Sequence, residues 1–133
     1  MKRLFTLLLL ATIVAFTPAC SHEPIKALII SGQNNHNCQV SHLVMQQILD
    51  QSGLFSSDIV LTAKAGGDMS TFRPNFSDYD VVVLDYNGDR WPAETDAAFL
   101  EYVQAGGGVV IYHAADNAFD EWEEFNTIIA LGG

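Results

Sequence analysis

The clearest strand in the sequence reads Asp80-Val81-Val82-Val83-Leu84-Asp85. Its centre is apolar and mostly β-branched, which is typical of a strand. A second run, Ile25 to Ile30, is nearly continuous in apolar character and predicts a strand covered on both faces of a parallel sheet. Shorter runs at 58–61 and 109–112 have the same character. The sequence therefore predicts a sheet built around the 80–85 strand.

Segments with helical spacing separate these strands. The first has apolar residues at Val40, Leu43, Val44, Ile48 and Leu49, with Gly53 as its stop. A second begins at Pro92 and ends at the glycines 106–108. A third is predicted from Phe119, Trp122, Phe125 and Ile129. Strands that alternate with helices predict the α/β class, with a doubly wound, mostly parallel sheet.

The chain opens with the three parts of a bacterial export signal. Lys2 and Arg3 precede an apolar run from Leu4 to Phe16, and small residues lead to Cys20. This run is too short for a bilayer span, which takes about 20 residues, so we predict a signal peptide over 1–19. Cys20 at the cleavage point predicts a lipid-anchored protein with a lipidated tether over 20–25. Ordinary cleavage after Ala19 is the alternative; either way the protein is exported, to the periplasm or the cell surface.

Removal of the leader leaves a strongly acidic chain. Four basic side chains remain against 16 acidic ones, so the formal charge falls from −10 to −12. Such a surface repels nucleic acid and anionic headgroups, and no nucleic-acid partner is predicted. It suits neutral or cationic partners, or solubility alone. Cys38 is expected to be a small buried hydrophobe that could pair with Cys20 only if Cys20 is not lipidated.

Polar loops follow three of the predicted strands, at 31–37, 85–90 and 113–117. Ligands of doubly wound sheets bind outside the carboxyl ends of the strands, so these loops are the expected site. The candidates for substrate binding are Asn34, Asn35, His36, Asp85, Tyr86, Asn87 and Asn117. The candidates for catalysis are His113 and Asp116.

His113 holds the most distinctive position. The step from the 109–112 strand into His113 has the outline of a nucleophile elbow, where α/β hydrolases and amidotransferases place Ser or Cys. An imidazole can pass a proton or bind a metal, but it replaces a thiolate poorly in acyl transfer. The sequence therefore disfavours thiol chemistry and leaves proton transfer and metal binding as the possible roles of His113.

Structural roles compete with the functional ones at most of these positions. The asparagines around His36 either hold sugar hydroxyls or only cap the following helix. Asp85 is either a base or metal ligand, or a strand-end residue that caps backbone amides. Tyr86 and Trp91 form either a stacking platform for a sugar ring or part of the helix packing. His42 is expected on the polar side of the first helix, with a structural role.

No cofactor is identified from the sequence. It contains neither the glycine-rich dinucleotide turn nor a phosphate-binding loop. A divalent metal held by His113 with Asp85, Asp89 or Asp116 is chemically sensible, but the spacing is not diagnostic. The metal requirement and the oligomeric state stay open.

Three stretches together resemble the ThuA-like family, which is named for trehalose utilisation. They are Gly32-Gln33-Asn34-Asn35-His36, Tyr86-Asn87-Gly88 and the run from Gly106 to Phe119. The resemblance covers residues 26–133 and implies a flavodoxin-like sheet related to class I glutamine amidotransferases, without their catalytic cysteine. It also implies that 26–133 is the first part of the family's domain, so we expect a domain truncated at its C-terminus.

The resemblance implies a carbohydrate as the small-molecule partner. Family members are associated with the breakdown of disaccharides through 3-keto sugars, in which the proton beside the carbonyl is acidic. A base such as His113 or Asp116 would remove that proton, the glycosidic bond would leave by elimination, and water would add. We expect a lyase or hydrolase of oxidised glycosides, inactive as residues 26–133 alone. A non-catalytic carbohydrate-binding surface lipoprotein is the alternative.

Overall fold

The computed structural model of the chain describes residues 22–130. The predicted signal peptide and Cys20 lie outside the described residues. In chain order the elements are β1 (Ile25–Ser31), α1 (Cys38–Gln51), β2 (Phe55–Leu61), β3 (Val81–Leu84), α2 (Ala93–Gln104), β4 (Gly108–Ile111) and α3 (Glu123–Ile129). Two short 3-10 turns cover Phe76–Asp78 and His113–Asn117. None of the helices described is long and apolar enough to cross a membrane.

The strands of the described region form one parallel sheet in the order β2-β1-β3-β4. β1 pairs with β2 from Ile25 opposite Phe55 onward, and its other edge pairs with β3. β3 in turn pairs with β4, with Val81 opposite Gly108. This order, with helices between the strands, is that of a flavodoxin-like doubly wound sheet, and the predicted fold class is confirmed.

Alternate residues of the central strands face opposite sides of the sheet. On one side Leu28 and Val82 belong to a large core that includes α2 and the segments after β2 and β4. The aromatic members of this core are Phe72, Phe76, Tyr86, Trp91, Phe99, Tyr102, Phe119, Trp122 and Phe125. On the other side Ile29 is buried where α1 contacts β1 and β2. The sheet therefore has one face closed by aromatic packing and one face covered by α1 over β1 and β2.

The orientation of α1 differs from the prediction. The helix buries Cys38 and His42, and His42 contacts the Cys38 carbonyl oxygen through Nδ1. The burial expected of Cys38 is therefore found, whereas the expectation that His42 lies on the polar side is wrong. Four members of the predicted apolar stripe are between 46 and 64 % exposed: Val40, Leu43, Val44 and Ile48. The periodicity revealed an apolar face of the helix, but the sheet packs against a different face.

Two element boundaries also differ from the prediction. β2 begins at Phe55, before the predicted 58, because pairing with β1 draws the intervening serines into the sheet. α3 begins at Glu123 and not at Phe119, whose positive φ of 57° is incompatible with a helix. The side chains of Phe119 and Trp122 are nevertheless buried, as their spacing indicates. β1 begins at Ile25, as its apolar run predicts, so this residue belongs to the strand although the predicted tether also included it.

Candidate functional site

The loops after β1, β3 and β4 meet at one edge of the sheet, because these strands are parallel neighbours. Backbone hydrogen bonds continue from the strands into the loops. The Asp85 amide donates to the Ile30 carbonyl and the Tyr112 amide donates to the Leu84 carbonyl, both at 2.9 Å. Side chains at 34–36, 85 and 113 are thereby brought to the same place, although they are far apart in the sequence.

Two histidines lie side by side at this edge. The ring centroids of His36 and His113 are 4.5 Å apart, with the ring planes inclined by 36°. Both residues are exposed. His113 follows β4 directly and has a φ of 49°, in the left-handed region that non-glycine residues rarely occupy. Such conformations cost on the order of 1–3 kcal/mol and cluster at functional sites, where the surrounding structure holds them.

Asp85 is the buried polar centre below the histidines. Asp85 is 1 % exposed. Its carboxylate accepts hydrogen bonds from Ser31 Oγ (2.9 Å), Ser41 Oγ (2.5 Å) and Asn34 Nδ2 (3.0 Å). A buried carboxylate needs such donors, because its removal from water is otherwise costly. Asp85 therefore holds α1 and the loop after β1 against the end of β3.

Asn34 links Asp85 to the backbone of His36. Its Nδ2 donates to Asp85, and its Oδ1 accepts a hydrogen bond from the His36 backbone amide at 3.0 Å. This is an Asx-type turn, in which a short amide side chain fixes the backbone two residues on. Asn34 therefore acts on the loop conformation that places the His36 ring beside His113.

A groove runs from the histidine pair along α1. It encloses about 460 Å³, which lies within the usual range of ligand sites. At one end it is lined by the polar residues Asn34, His36, Asp85 and His113. Asn37 and Ser41 also line it, and the rest of its wall consists of apolar residues of α1 together with Tyr112.

Tyr86 and Trp91 lie away from this groove, in the aromatic core. Tyr86 is fully buried, and its hydroxyl donates to the Asp89 carbonyl oxygen at 2.6 Å. Burial, with the nearby Asp89 charge, raises the pKa of the Tyr86 hydroxyl. Trp91 is also buried, 5.9 Å from the Tyr86 ring. Of the two alternatives for this pair, packing matches these positions, and a stacking platform for a sugar does not.

The remaining candidates are placed more loosely. Asn35 is exposed beside His36, and Asn87 is half-buried, with its backbone amide donating to the Gln33 carbonyl oxygen. Asp116 is half-buried in the 3-10 turn that begins at His113, and it accepts a hydrogen bond from Asn117 Nδ2. The structure therefore brings Asn34, His36, Asp85 and His113 together most closely.

Sequence reasoning missed the residue that joins the loops. Gln33 is 5 % exposed; its amide nitrogen donates to the Ala63 carbonyl and Asp89 Oδ2, and its carbonyl oxygen accepts from the Asp89 amide. A Cβ on Gly88 would come within 2.3 Å of Gln33 Oε1, so this packing requires glycine. Asp89 is committed to this structure, since it also accepts from the Gly66 amide at 2.6 Å.

Ser31 and Ser41 were missed as well, because serines at a strand end and in a helix carry no distinctive pattern. Their link to Asp85 appears only when β1, α1 and β3 are in place. For Gln33 a weak signal existed: it is a polar residue between Gly32 and Asn34, directly after a buried strand.

The described residues do not by themselves make a metal centre. Within 22–130 no group of three or more His, Cys, Asp or Glu side chains is arranged to hold an ion. His36 and His113 would supply two nitrogen donors, whereas protein zinc sites take three or four ligands. The nearby Asp85 carboxylate is already occupied by three donors.

The chain is similar to proteins of one family. The model of the ThuA family, described as trehalose utilisation, matches residues 26–132. A ThuA-like protein of known structure from Parabacteroides merdae is 66 % identical, with a TM-score of 0.81 over 84 % of this chain. Another from Bacteroides uniformis is 26 % identical, with a TM-score of 0.56 over 83 % of the chain. This chain covers 40 % and 46 % of their lengths. No curated protein matches it significantly.

Proposed function

Because the chain belongs to the ThuA family, we propose that it is an exported, carbohydrate-active protein that cleaves oxidised, 3-keto glycosides by proton abstraction. The observation that carries the proposal is the pair of exposed imidazoles, His36 and His113, whose centroids are 4.5 Å apart at the carboxyl ends of the strands. Imidazole is the side chain best suited to moving protons near neutral pH.

The elimination needs one group that removes a proton from the sugar and another that protonates the leaving oxygen. In a 3-keto sugar the proton on the carbon beside the carbonyl is acidic. His113 takes this proton, the electrons of the C–H bond form a carbon–carbon double bond, and the glycosidic C–O bond breaks. The leaving oxygen takes a proton from His36 in its imidazolium form, and water then adds across the double bond. Asp116, in the same turn as His113, is the second candidate for the base.

The two rings can take opposite roles in this reaction. An imidazole can either accept or donate a proton, and the two rings lie side by side. Such a pair offers a base and an acid within one site. The exposed side chains of Asn35 and Asn117 lie in the same loops and supply donors and acceptors for sugar hydroxyls.

The test is release of sugar from a 3-keto disaccharide by the full-length protein, with the non-oxidised disaccharide as a second substrate and parallel reactions in a chelator. We expect release from the ketone alone. His113→Ala should lower the rate by roughly 10²–10⁴-fold, the usual contribution of a general base. His22→Ala is the matched control, since His22 is exposed and lies before β1.

Two results would change the assignment. Unaltered turnover in His113→Ala would remove His113 as the base and leave Asp116 to be tested. Binding of the sugar without turnover would indicate the other function compatible with this site, a carbohydrate-binding surface lipoprotein. The chelator reactions decide whether a divalent ion takes part.

Export and anchoring through Cys20 are part of the same proposal, supported by the leader sequence. Incorporation of labelled fatty acid into the expressed protein tests the anchor. The label should be present in the wild-type chain and absent from Cys20→Ala, with Cys38→Ala as the control that keeps it. Equal labelling of the wild type, Cys20→Ala and Cys38→Ala would contradict an anchor on Cys20.

A further inference from the structure

The loop after β3 contains Asn87-Gly88, the one place in the chain where glycine follows asparagine. A backbone amide nitrogen can attack the side-chain amide of the asparagine before it and close a cyclic imide. Glycine favours this reaction, because it has no side chain to shield its nitrogen or to restrict its backbone. The chemistry of the sequence therefore distinguishes Asn87 from the other asparagines of the chain.

Both reacting groups are free of hydrogen bonds in the described structure. Within residues 22–130 neither the Asn87 side chain nor the Gly88 amide has a hydrogen-bond partner, whereas the side-chain amides of Asn75 and Asn117 each donate to a carboxylate. Asn87 is half-buried and Gly88 is exposed, so water reaches this peptide bond. Neither group has to give up a partner before the ring closes.

Close packing against Gln33 explains why glycine follows Asn87. A Cβ on Gly88 would lie 2.4 Å from the Gln33 Cβ. The φ of Gly88 is not positive, so this contact and not the backbone conformation requires glycine. The reactive dipeptide is therefore a consequence of the close approach between the loops after β1 and β3.

Gln33 also restrains the backbone on both sides of the dipeptide. Its main-chain oxygen accepts a hydrogen bond from the Asn87 amide, and its side-chain oxygen accepts one from the Asp89 amide, both at 2.9 Å. Ring closure requires the backbone between these two bonds to rotate until the Gly88 nitrogen faces the Asn87 side chain. The reaction rate therefore follows the population of molecules in which the contact with Gln33 has opened.

We propose that Asn87 is a site of deamidation and that Gln33 controls the rate of its modification. The Gly88 nitrogen bonds to the side-chain carbonyl carbon of Asn87, the bond from this carbon to the amide nitrogen breaks, and ammonia leaves with the proton of the Gly88 nitrogen. Water then opens either carbonyl of the imide and gives aspartate or isoaspartate. Both products add a negative charge between Asp85 and Asp89. Isoaspartate also lengthens the backbone before Gly88 and so displaces it from Gln33.

The test follows the purified full-length protein during incubation in a mildly alkaline buffer, with digestion and peptide mapping by mass spectrometry. We expect the peptide with Asn87 to gain the mass that distinguishes an acid from an amide, and to separate into aspartate and isoaspartate forms. Asn35 and Asn117 are internal controls in the same digest, because both are exposed but precede histidine and alanine. Conversion at Asn87 should be severalfold faster than at either control.

Three variants separate the reaction from its restraint. Asn87→Gln lengthens the side chain, so ring closure slows and the modification should disappear. Gln33→Ala removes the acceptor of the Asp89 amide and should accelerate conversion of Asn87 by about fivefold or more. Gln46→Ala is the matched control, since the half-buried Gln46 donates to the Ser57 carbonyl oxygen away from this loop. Its conversion rate should equal that of the wild type.

The wild type in urea gives the same comparison without a substitution, because unfolding also opens the contact with Gln33, and it should react faster than the native protein. Circular dichroism establishes that each variant is folded. Conversion at Asn87 no faster than at Asn35 and Asn117, or undiminished in Asn87→Gln, would remove Asn87 as the site. An unchanged rate in both Gln33→Ala and urea would remove the control by Gln33. None of these readouts uses catalysis, so the result is independent of the proposed activity.

Discussion

The imidazole of His113 lies 4.5 Å from that of His36, although the two residues follow strands that are not neighbours in the sheet. β3 runs between those strands, and Asp85 at its end supports His36 through Asn34. His113 is held differently, by a left-handed backbone turn directly after β4. The histidine pair thus depends on a buried carboxylate on one side and on backbone strain on the other.

The strain at His113 can be measured through stability. His113 has a φ of 49°, which glycine adopts freely and alanine does not. We expect His113→Gly to be more stable than His113→Ala by about 1 kcal/mol. Urea unfolding of the two variants, both of which lack the imidazole, isolates the backbone contribution. Equal stability, or a more stable alanine variant, would contradict strain at this position.

The hydrogen bonds to Asp85 predict that removal of the acceptor costs more stability than removal of one donor. Asp85→Ala leaves buried donors without an acceptor and should lower the free energy of unfolding by about 3 kcal/mol. Ser41→Ala removes one donor and leaves the carboxylate bonded to Ser31 and Asn34, so it should cost only about 1 kcal/mol. Chemical denaturation gives both values.

The same variants distinguish support from simple packing. The NMR signals of the His36 imidazole should shift in Asp85→Ala and in Asn34→Ala, because both break the link to the His36 amide. They should remain in place in Ser41→Ala. Unchanged His36 signals in all three variants would show that Asp85 does not position this residue.

The fold was largely predictable because its signals are local. The apolar runs at 25–30 and 80–85 and the glycine stops mark strands and helix ends, and the rule for parallel sheets then places three polar loops together. The packing direction of α1 was not predictable, since the stripe of Val40, Val44 and Ile48 is a genuine apolar face that the sheet leaves uncovered.

The site was predictable only in part, for a related reason. Asp85 and His113 were found because they directly follow strands, and His36 because it lies in the polar loop after β1. Tyr86 stands at a strand end as well, but its ring turns into the core, and nothing in the sequence separates it from Asp85. Gln33, Ser31 and Ser41 act through contacts between elements that are distant in sequence, so no local sequence pattern reveals their roles.

Arg90 joins the loop after β3 to the aromatic core, and its geometry predicts that lysine cannot replace it. Its guanidinium carbon lies 3.8 Å from the Trp122 ring centroid. Its Nε donates to Asp96 Oδ2 at 3.0 Å, and its NH2 forms an ion pair with the same oxygen at 2.9 Å. Arg90→Lys keeps the charge but loses the stacked, two-point geometry, and should cost about 1 kcal/mol.

Arg73 offers the matched control for this substitution. It pairs with Glu94 at 3.2 Å in an exposed ion pair, and its NH1 also donates to the Phe72 carbonyl oxygen at 3.1 Å and to Thr95 Oγ1 at 3.5 Å. Since an exposed pair contributes little, Arg73→Lys should cost less stability than Arg90→Lys. Thermal or urea unfolding of both variants compares the two arginines directly. A loss in Arg73→Lys as large as that in Arg90→Lys would show that the stacking on Trp122 contributes nothing specific.

Asp96, the partner of Arg90, predicts an unusual dependence of stability on pH. Burial raises the pKa of its carboxyl in spite of the Arg90 charge, and its Oδ1 is buried without a hydrogen-bond partner within residues 22–130. At low pH the carboxyl is neutral in both the folded and the unfolded chain. As the pH rises past the ordinary value of about 3.9, the unfolded chain loses this proton first. The wild-type protein should therefore lose stability relative to Asp96→Asn until the pH exceeds the raised pKa.

Asp68 provides a control, because its contribution to stability should change with pH in the opposite direction. Hydrogen bonds from Ser70 lower the pKa of its carboxyl, with the Ser70 amide donating to Oδ1 at 2.8 Å. Its contribution is present above the ordinary pKa and is lost as the pH falls through the lowered one. Urea unfolding at several values between pH 3 and 7 should therefore show the wild type losing stability against Asp96→Asn, and gaining it against Asp68→Asn, as the pH rises. If the wild type also gained against Asp96→Asn, attraction to Arg90 would outweigh the burial of Asp96.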